Sequence, residues 1–495
     1  QTCSLPIWVK RLIETAALSN FNCLRVWGGG YYPSDVFYDL CDAYGLIVWQ
    51  DLMLACNIYD FEERFEDNIS QEIRENVRRI RHHACLGLWC GNNEMEMAWL
   101  TWEDVRRHSN RLKADYIKQF EYVIPKILQE EDPDRFYWPS SPSSGGSFED
   151  PNSEACGDTH YWDVWHGQKP FAAYRTHDSR FCSEFGFQSF PLLKTVRTFT
   201  EEKDRNIFSQ VMESHQKNDA ANGKILYYIS ETFRYPKGFE ELLYVSQILQ
   251  GIAVKCGTEY WRRNRGRCMG ALYWQLNDNW PVASWSSVDY YGRWKVLQYM
   301  ARKFFAPRTG MIETEHDTVC AAAVNDTLEP AAVKAVIRLK NLRLEVLQES
   351  ICEAELPPLS AVSLGQMDVR EKIAGRRERV FAEVTFEFSD GSRCVQHEIF
   401  VPYKYLDLDQ PQITCEIQEE EECFCIRLKT DVYAPFVWID LAENDVLLSD
   451  NCLCLGSGEA AEIRMPKRDM LTGEVLAADE VRRQITVKSL YDTYA

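Results

Sequence analysis

The sequence has no excess of basic residues, no long apolar run and no polar low-complexity tract, and each absence removes a class of function. Fifty-five Lys and Arg stand against 75 Asp and Glu, a formal charge of −20 at pH 7. Nucleic-acid binding draws most of its affinity from clustered Lys and Arg, so no nucleic-acid partner is expected. No apolar run reaches the ~20 residues needed to cross a bilayer, and Gln1 opens no signal peptide. A soluble, cytoplasmic chain with no membrane partner is the expectation. Repeats with a period of ~20–50 residues are missing, which excludes solenoid and propeller architectures.

Cysteine is not scarce, but its arrangement lacks a C-x-x-C knuckle. Of 18 cysteines, only Cys423/Cys425 and Cys452/Cys454 are closely spaced, and both pairs read C-x-C. In a strand that spacing puts two side chains on one face, a poor metal-binding pattern. Others, such as Cys3, Cys23, Cys41, Cys56, Cys85 and Cys90, stand where core strands and helices are expected. Buried reduced thiols, with no metal and no cofactor, are the reading.

What is present is a globular composition, 45% apolar and 26% charged, over 495 residues. At ~100–200 residues per domain this length suggests about three units. Up to residue 305, short apolar runs alternate with amphipathic stretches, the pattern of β/α units around a parallel sheet. Strands are expected at Asn22 to Trp27, Leu46 to Gln50, Cys85 to Trp89, Arg135 to Pro139, Asp158 to Trp162, Arg180 to Ser183 and Cys268 to Gln275. Helices are expected at Ile7 to Leu18, Phe65 to Arg81, Arg111 to Leu128 and Glu240 to Arg263.

Seven strands are one fewer than an eight-stranded β/α barrel needs, and the chain opens on a helical segment. The expected fold is therefore a (β/α)8 TIM barrel whose first strand is absent, and residues preceding Gln1 in the natural protein are expected to matter for folding. After Pro307 the alternation has period two. Val333 to Leu339, Phe381 to Phe388 with a turn at Asp390-Gly391, Cys394 to Val401 and Cys423 to Leu428 read as antiparallel strands of two immunoglobulin-like β-sandwiches. The domains are placed at 1–305, 306–407 and 408–495.

In a β/α barrel the reactive groups sit where strands end. Cys85-Leu86-Gly87-Leu88-Trp89-Cys90 runs into Gly91-Asn92-Asn93-Glu94, and Arg180-Phe181-Cys182-Ser183 runs into Glu184-Phe185-Gly186. Counting the absent strand as the first, these end strands 4 and 7, on facing sides of the mouth. Their carboxylates are then expected ~5–5.5 Å apart, the spacing for double displacement through a glycosyl-enzyme. The plainer reading makes each Glu a barrel-mouth residue that pairs with Arg or caps a helix. Trp27, Trp49, Trp99, Trp102, Tyr161, Trp162, Trp165, Trp274, Trp280 and Trp285 crowd the other strand ends, and flat rings suit the C–H faces of pyranoses.

Three further features read as structural. His82-His83 is a solvated helix end, Gly28-Gly29-Gly30 a tight turn without dinucleotide-binding spacing, and Glu419 to Glu422 a solvated turn before a strand.

Several of these strings resemble the β-mannosidases of glycoside hydrolase family 2. They are Leu24-Arg25-Val26-Trp27-Gly28-Gly29-Gly30, Val48-Trp49-Gln50-Asp51, Gly91-Asn92-Asn93-Glu94, His160-Tyr161-Trp162-Asp163-Val164-Trp165-His166-Gly167, Ser183-Glu184-Phe185-Gly186-Phe187-Gln188 and Trp274-Gln275-Leu276-Asn277-Asp278. Trp285-Ser286-Ser287-Val288-Asp289-Tyr290-Tyr291-Gly292-Arg293-Trp294-Lys295 matches as well. The resemblance implies Glu94 as acid/base, Glu184 as nucleophile, and Asn93 on the sugar 2-hydroxyl. It implies Trp27, Trp102, His166 and Trp274 lining the pocket for the non-reducing-end sugar, and His160 orienting the nucleophile. Glu94 is expected to start protonated, its pKa raised by the charge of Glu184.

Members of the family carry a sugar-binding sandwich and an immunoglobulin-like sandwich before the barrel, and neither precedes Ile7 here. Three readings follow: a retaining exo-β-mannosidase on β-mannosides or manno-oligosaccharides; a family 2 hydrolase of a β-glucosaminide or β-galactoside; or a truncated product that is inactive or only binds carbohydrate. The partner implied throughout is a carbohydrate. No oligomeric state is defined by the sequence.

Overall fold

The computed structural model describes residues 5–495; Cys3 lies outside the described residues. The chain divides into two compact units, residues 1–185 with 264–274, and residues 186–263 with 275–495.

The first unit alternates strand and helix. Helix α1 (Leu5–Leu18) leads to β1 (Cys23–Val26), α2 (Asp35–Tyr44), β2 (Ile47–Asp51), α3 (Glu63–Ile80), β3 (Leu86–Cys90) and α4 (Met95–Thr101). Strands β4 (Phe136–Trp138), β5 (Thr159–Tyr161), β6 (Cys182–Phe185) and β7 (Ala271–Tyr273) complete it. All seven expected strands are present within a few residues of their expected limits. They form two parallel sheets rather than one, ordered β1-β2-β3-β4 and β5-β6-β7. β1 and β7 are the outer strands of their sheets; Phe21 and Tyr273 meet edge to face, with ring centroids 5.7 Å apart.

Helix α3 shows why these segments take these forms. Ile69, Ile73, Val77 and Ile80 are buried at helical spacing, and its other faces are charged. They join Ile13, Tyr38, Leu46, Val48, Leu86 and Trp89 in one core. Gly45 ends α2 at φ 69°, the left-handed conformation a side chain resists. The helix expected over Arg111 to Leu128 is interrupted by a π-helical turn at Lys118–Val123. His83 departs from expectation: it is buried, its Nδ1 is 2.7 Å from Asp42 Oδ2, and its ring stacks on Tyr38. Only His82 is solvated.

The second unit holds a 25-residue helix, Phe239–Arg263, and the antiparallel strands. Strands β8 (Arg308–Glu315), β9 (Thr318–Asn325), β10 (Ala331–Asn341), β11 (Val346–Leu356), β12 (Ser360–Asp368), β13 (Val380–Phe388) and β14 (Arg393–Ile399) form sheets β11-β10-β13-β14 and β12-β9-β8. Strands β15 (Thr414–Glu419), β16 (Cys423–Lys429), β17 (Ala434–Leu441), β18 (Leu453–Leu455), β19 (Ala461–Pro466) and β20 (Ile485–Lys488) form sheets β15-β16-β19 and β18-β17-β20. Glu419 to Glu422 ends β15 and turns into β16. Among the described residues, no helix is long and apolar enough to cross a membrane.

Candidate active site

The Gly-Asn-Asn-Glu string after β3 is built residue by residue. A Cβ on Gly91 would stand 2.3 Å from the Pro139 carbonyl oxygen, so only glycine lets this segment pass the end of β4. Asn92 is fully buried; its Oδ1 accepts the Met95 N–H (3.1 Å) at the start of α4, and its Nδ2 donates to the Pro139 carbonyl (3.0 Å). Asn93 and Glu94 are thereby fixed at the strand end. Glu94 itself adopts φ 61°, ψ 1°, a strained conformation for a residue with a side chain.

Glu184 lies within β6 and is buried. Its neighbour across the ladder is His160 in β5. Register thus delivers His160 and Glu184 side by side, with Glu94 arriving from β3. His160 Nδ1 donates to Glu94 Oε1 at 2.9 Å and lies 3.7 Å from Glu184 Oε2. The hydrogen bond of His160 goes to Glu94, not to the nucleophile that the family resemblance had it orient.

The centre of the site is a residue that the sequence reading passed over. Arg25 of β1 donates to Asp51 (Nη2 to Oδ2, 2.8 Å; Nε to Oδ1, 3.2 Å), to Asn93 Oδ1 (2.8 Å) and to Glu184 Oε2 (3.2 Å). Asp51 also accepts from the Trp49 indole (2.9 Å) and the Gly28 N–H (3.0 Å). A Cβ on Gly28 would press within 2.6 Å of the Leu52 carbonyl, so the glycine turn after β1 admits this close approach. Behind His160, Ser141 Oγ lies 3.0 Å from Nε2 and donates to Asp158 Oδ2 at 2.7 Å.

Cys56 also borders the carboxylates. Expected to be a core thiol, it is an exposed residue whose Sγ accepts from Asn93 Nδ2 (3.3 Å) and donates to Glu94 Oε2 (3.6 Å). Desolvation and the Glu94 charge push its pKa up to about 12.

The electrostatics reverse one expectation. Burial alone would raise Glu94, but the hydrogen bond and charge of His160 outweigh it and hold Glu94 below the usual carboxylate range. Glu184 is raised by burial, with the Glu94 charge adding to it against His160 and Arg25. Burial would lower His160, and the two glutamates raise it instead. The proton expected on Glu94 is thus drawn to His160.

Among the described residues, Glu94, His160 and Glu184 are the one group of three donors close enough for a metal ion, each offering an atom within 4.8 Å of the others. The guanidinium of Arg25, 3.2 Å from Glu184 and 3.5 Å from His160, already supplies the cation there and repels a second.

The aromatic residues divide. Trp27 and Trp274 pack edge to face at 5.1 Å, both half-buried. Trp102 is half-buried at the end of α4, and His166 is exposed on the turn beside Trp162, ring centroids 5.2 Å apart. Trp49, Trp99 and Trp165 are buried core. Arg25 was detectable as a charge inside an apolar strand, and Asp51 as an acid closing β2, by the same strand-end rule that singled out the two glutamates.

Two glutamates, Glu184 buried and Glu94 part-buried, meet at the ends of parallel strands, and antiparallel sheets follow them in the chain. Family models match residues 317–405 as a mannosidase Ig/CBM-like domain and residues 408–493 as an Ig-fold domain of mannosidases. The chain is 31% identical to the β-mannosidase of Capra hircus over 98% of its own length and 58% of that protein's. It is 39% identical to β-mannosidase B of Aspergillus clavatus over 62% of the chain and 37% of that protein. The crystal structure of β-D-mannosidase from Dictyoglomus thermophilum superposes with a TM-score of 0.89 at 32% identity, over 98% of this chain and 58% of that one. The chain is thus similar to β-mannosidases over nearly all of its own length, and it spans 58% of the Capra hircus and Dictyoglomus thermophilum proteins and 37% of the Aspergillus clavatus one.

Proposed function

We propose that the chain carries the catalytic pair of a retaining exo-β-mannosidase that removes terminal β-mannose from mannosides and manno-oligosaccharides. The observation that carries this reading is the approach of Glu94 and Glu184, with carboxylate oxygens within 4.8 Å of one another. So close an approach supports direct attack by one carboxylate, the nearer of the two spacings that glycosidases use. The similarity to β-mannosidases supports mannose as the sugar.

In the first half-reaction a Glu184 oxygen attacks the anomeric carbon, the glycosidic bond breaks, and the leaving oxygen takes a proton through Glu94. The proton held in the His160–Glu94 hydrogen bond supplies it. Forming the glycosyl ester consumes the Glu184 charge. Glu94 then accepts a proton from water, which attacks the ester carbon and releases the sugar with retained configuration. Asn93, held by Arg25 and Cys56, is positioned for the 2-hydroxyl; Trp27, Trp102, His166 and Trp274 complete the pocket in this reading.

The test compares p-nitrophenyl β-mannoside with its gluco, galacto and glucosaminide analogues. It uses this chain, a version extended to the length of the relatives, and Glu184→Ala and Glu94→Ala in each. The expected result is preference for the mannoside, loss of activity in Glu184→Ala, and rescue of Glu94→Ala by azide with a β-mannosyl azide product. An α-azide product would overturn the retaining mechanism. Folded proteins that cleave none of the four would overturn the catalytic reading, and preference for another sugar would reassign the substrate.

A further inference from the structure

Asp158 is a buried acid that the mechanism leaves unused. It belongs to the unit of residues 1–185 with 264–274, is 3% exposed, and forms no ion pair among the described residues. Its hydrogen-bond partners are all neutral donors. The Trp138 indole (2.7 Å) and the Ser143 N–H (3.0 Å) reach Oδ1, and the hydroxyls of Ser141 (2.7 Å) and Ser183 reach Oδ2. Four donors on four lone-pair sites leave no place for a proton of its own.

A buried carboxylate normally has a cation beside it. Here an imidazole stands one hydroxyl away: Ser141 Oγ lies 3.0 Å from His160 Nε2 and 3.2 Å from Ser183 Oγ. The opposite nitrogen of the ring meets the catalytic pair, Nδ1 being 2.9 Å from Glu94 Oε1 and 3.7 Å from Glu184 Oε2. Arg25 Nη1 is the competing donor to Nε2, but at 3.5 Å it is too far to hold that lone pair well. Asn152 fixes the His160 backbone from both sides, accepting its N–H at 2.8 Å and donating to its carbonyl at 3.0 Å.

Given the catalytic reading of Glu94 and Glu184, we infer that Asp158 is a positioning residue for the acid/base: through Ser141 it keeps a hydrogen on His160 Nε2, so that Nδ1 is the nitrogen that exchanges a proton with Glu94. Ser141 has one hydrogen, and the charged acceptor at 2.7 Å takes it in preference to the imidazole at 3.0 Å. An oxygen lone pair is left facing Nε2, which answers it with an N–H. Were Nε2 bare, a neutral imidazole would keep its single hydrogen on Nδ1, fastened to Glu94, with none to give. With Nε2 protonated, the Nδ1 proton passes to Glu94 as Glu94 protonates the leaving oxygen, and His160 becomes neutral without changing its bond to Ser141. Bare Nδ1 no longer donates to Glu94, which strengthens that carboxylate as a base when it takes a proton from water. The proton returns to Nδ1 as the sugar is released.

Turnover is measured from pH 4 to 9 in the full chain, Asp158→Asn and Ser141→Ala, with p-nitrophenyl β-mannoside and with phenyl β-mannoside, whose poorer leaving group depends more on the acid. In both variants kcat/KM for the phenyl substrate is expected to fall about tenfold further than for the p-nitrophenyl one. Without the Asp158 charge the imidazole gives up its proton sooner, so the basic limb is expected at lower pH. Equal losses on the two substrates with the limb unmoved overturn the proposal and leave Asp158 a structural acceptor. A second readout needs no turnover and separates this role from the catalytic reading. The full chain is grown with 15N-histidine, and the His160 signal, identified by its absence in His160→Asn, is followed by NMR from pH 5 to 10. In the wild type, Nε2 is expected to stay protonated while Nδ1 loses its hydrogen; in Ser141→Ala the neutral ring should carry its hydrogen on Nδ1. A wild-type ring that is neutral with the hydrogen on Nδ1, or that keeps both hydrogens throughout, overturns the proposal, whether or not any glycoside is cleaved or either variant folds.

Discussion

Arg25 donates to Glu184 across 3.2 Å while its other edge grips Asp51 and Asn93, so one guanidinium ties β1, β2, β6 and the segment after β3 together. Its side chain is 6% exposed and that of Asp51 is fully buried. Removing the charge leaves the buried Asp51 carboxylate without its counter-ion, a loss of roughly 3–5 kcal/mol. Arg25→Met should therefore lower the unfolding midpoint sharply. Arg25→Lys keeps the charge without the fork, and is expected to stay folded while kcat/KM for the mannoside falls about a hundredfold. Full activity in Arg25→Lys would sink this account.

His160 sets the proton balance between the glutamates. It holds Glu94 low and also opposes the rise of Glu184. Replacing it by Asn raises both. In the proposed mechanism Glu184 attacks as the ionised carboxylate, so the acidic limb of the kcat/KM profile moves to higher pH; Glu94 there delivers a proton, so the basic limb moves up as well. A pH–rate profile of His160→Asn checks this, and limbs that stay in place would show that His160 does not act on either carboxylate.

Cys56 positions Asn93 and Glu94 through two sulfur hydrogen bonds. Each is worth about 1 kcal/mol at most, so Cys56→Ala should reduce kcat/KM roughly three- to tenfold without affecting folding. Because the thiol is pushed up to about 12, Cys56 should resist iodoacetamide at pH 7 despite its exposure. Peptide mapping after a timed alkylation reads this directly.

Glu383 makes the sandwich region acid-sensitive. Burial would raise its carboxyl, but His397 and Lys340 lower it from the ordinary 4.5 to about 2. A depressed carboxylate contributes stability above its unfolded pKa and loses it as pH falls through the folded value. The contribution, roughly 3 kcal/mol, is expected to be complete above pH 4.5 and to fade between pH 4.5 and 2. Thermal unfolding across this range should show the slope in the wild type and less of it in Glu383→Gln.

Much of the fold was legible in the sequence. Strands such as β3 and β7 are short apolar runs, whereas β5 is Thr159-His160-Tyr161, and α3 announces itself by Ile69, Ile73, Val77 and Ile80. The two glutamates were legible because each follows such a run. His83 and Cys56 were misplaced because burial of a single side chain depends on neighbours remote in sequence: Asp42 and Tyr38 receive the one, Asn93 and Glu94 hold the other.

By itself the sequence determined the local backbone, through periodicity, the glycines at 28 and 91, and the capping asparagine at 92. Only the tertiary structure decided that residues 25, 51, 94, 160 and 184 converge, because strand order and register bring them together across separations of 24 to 159 residues. It also decided the charge states. Glu94 is held low because His160 donates to it, a contact between residues 66 apart that no residue pattern encodes.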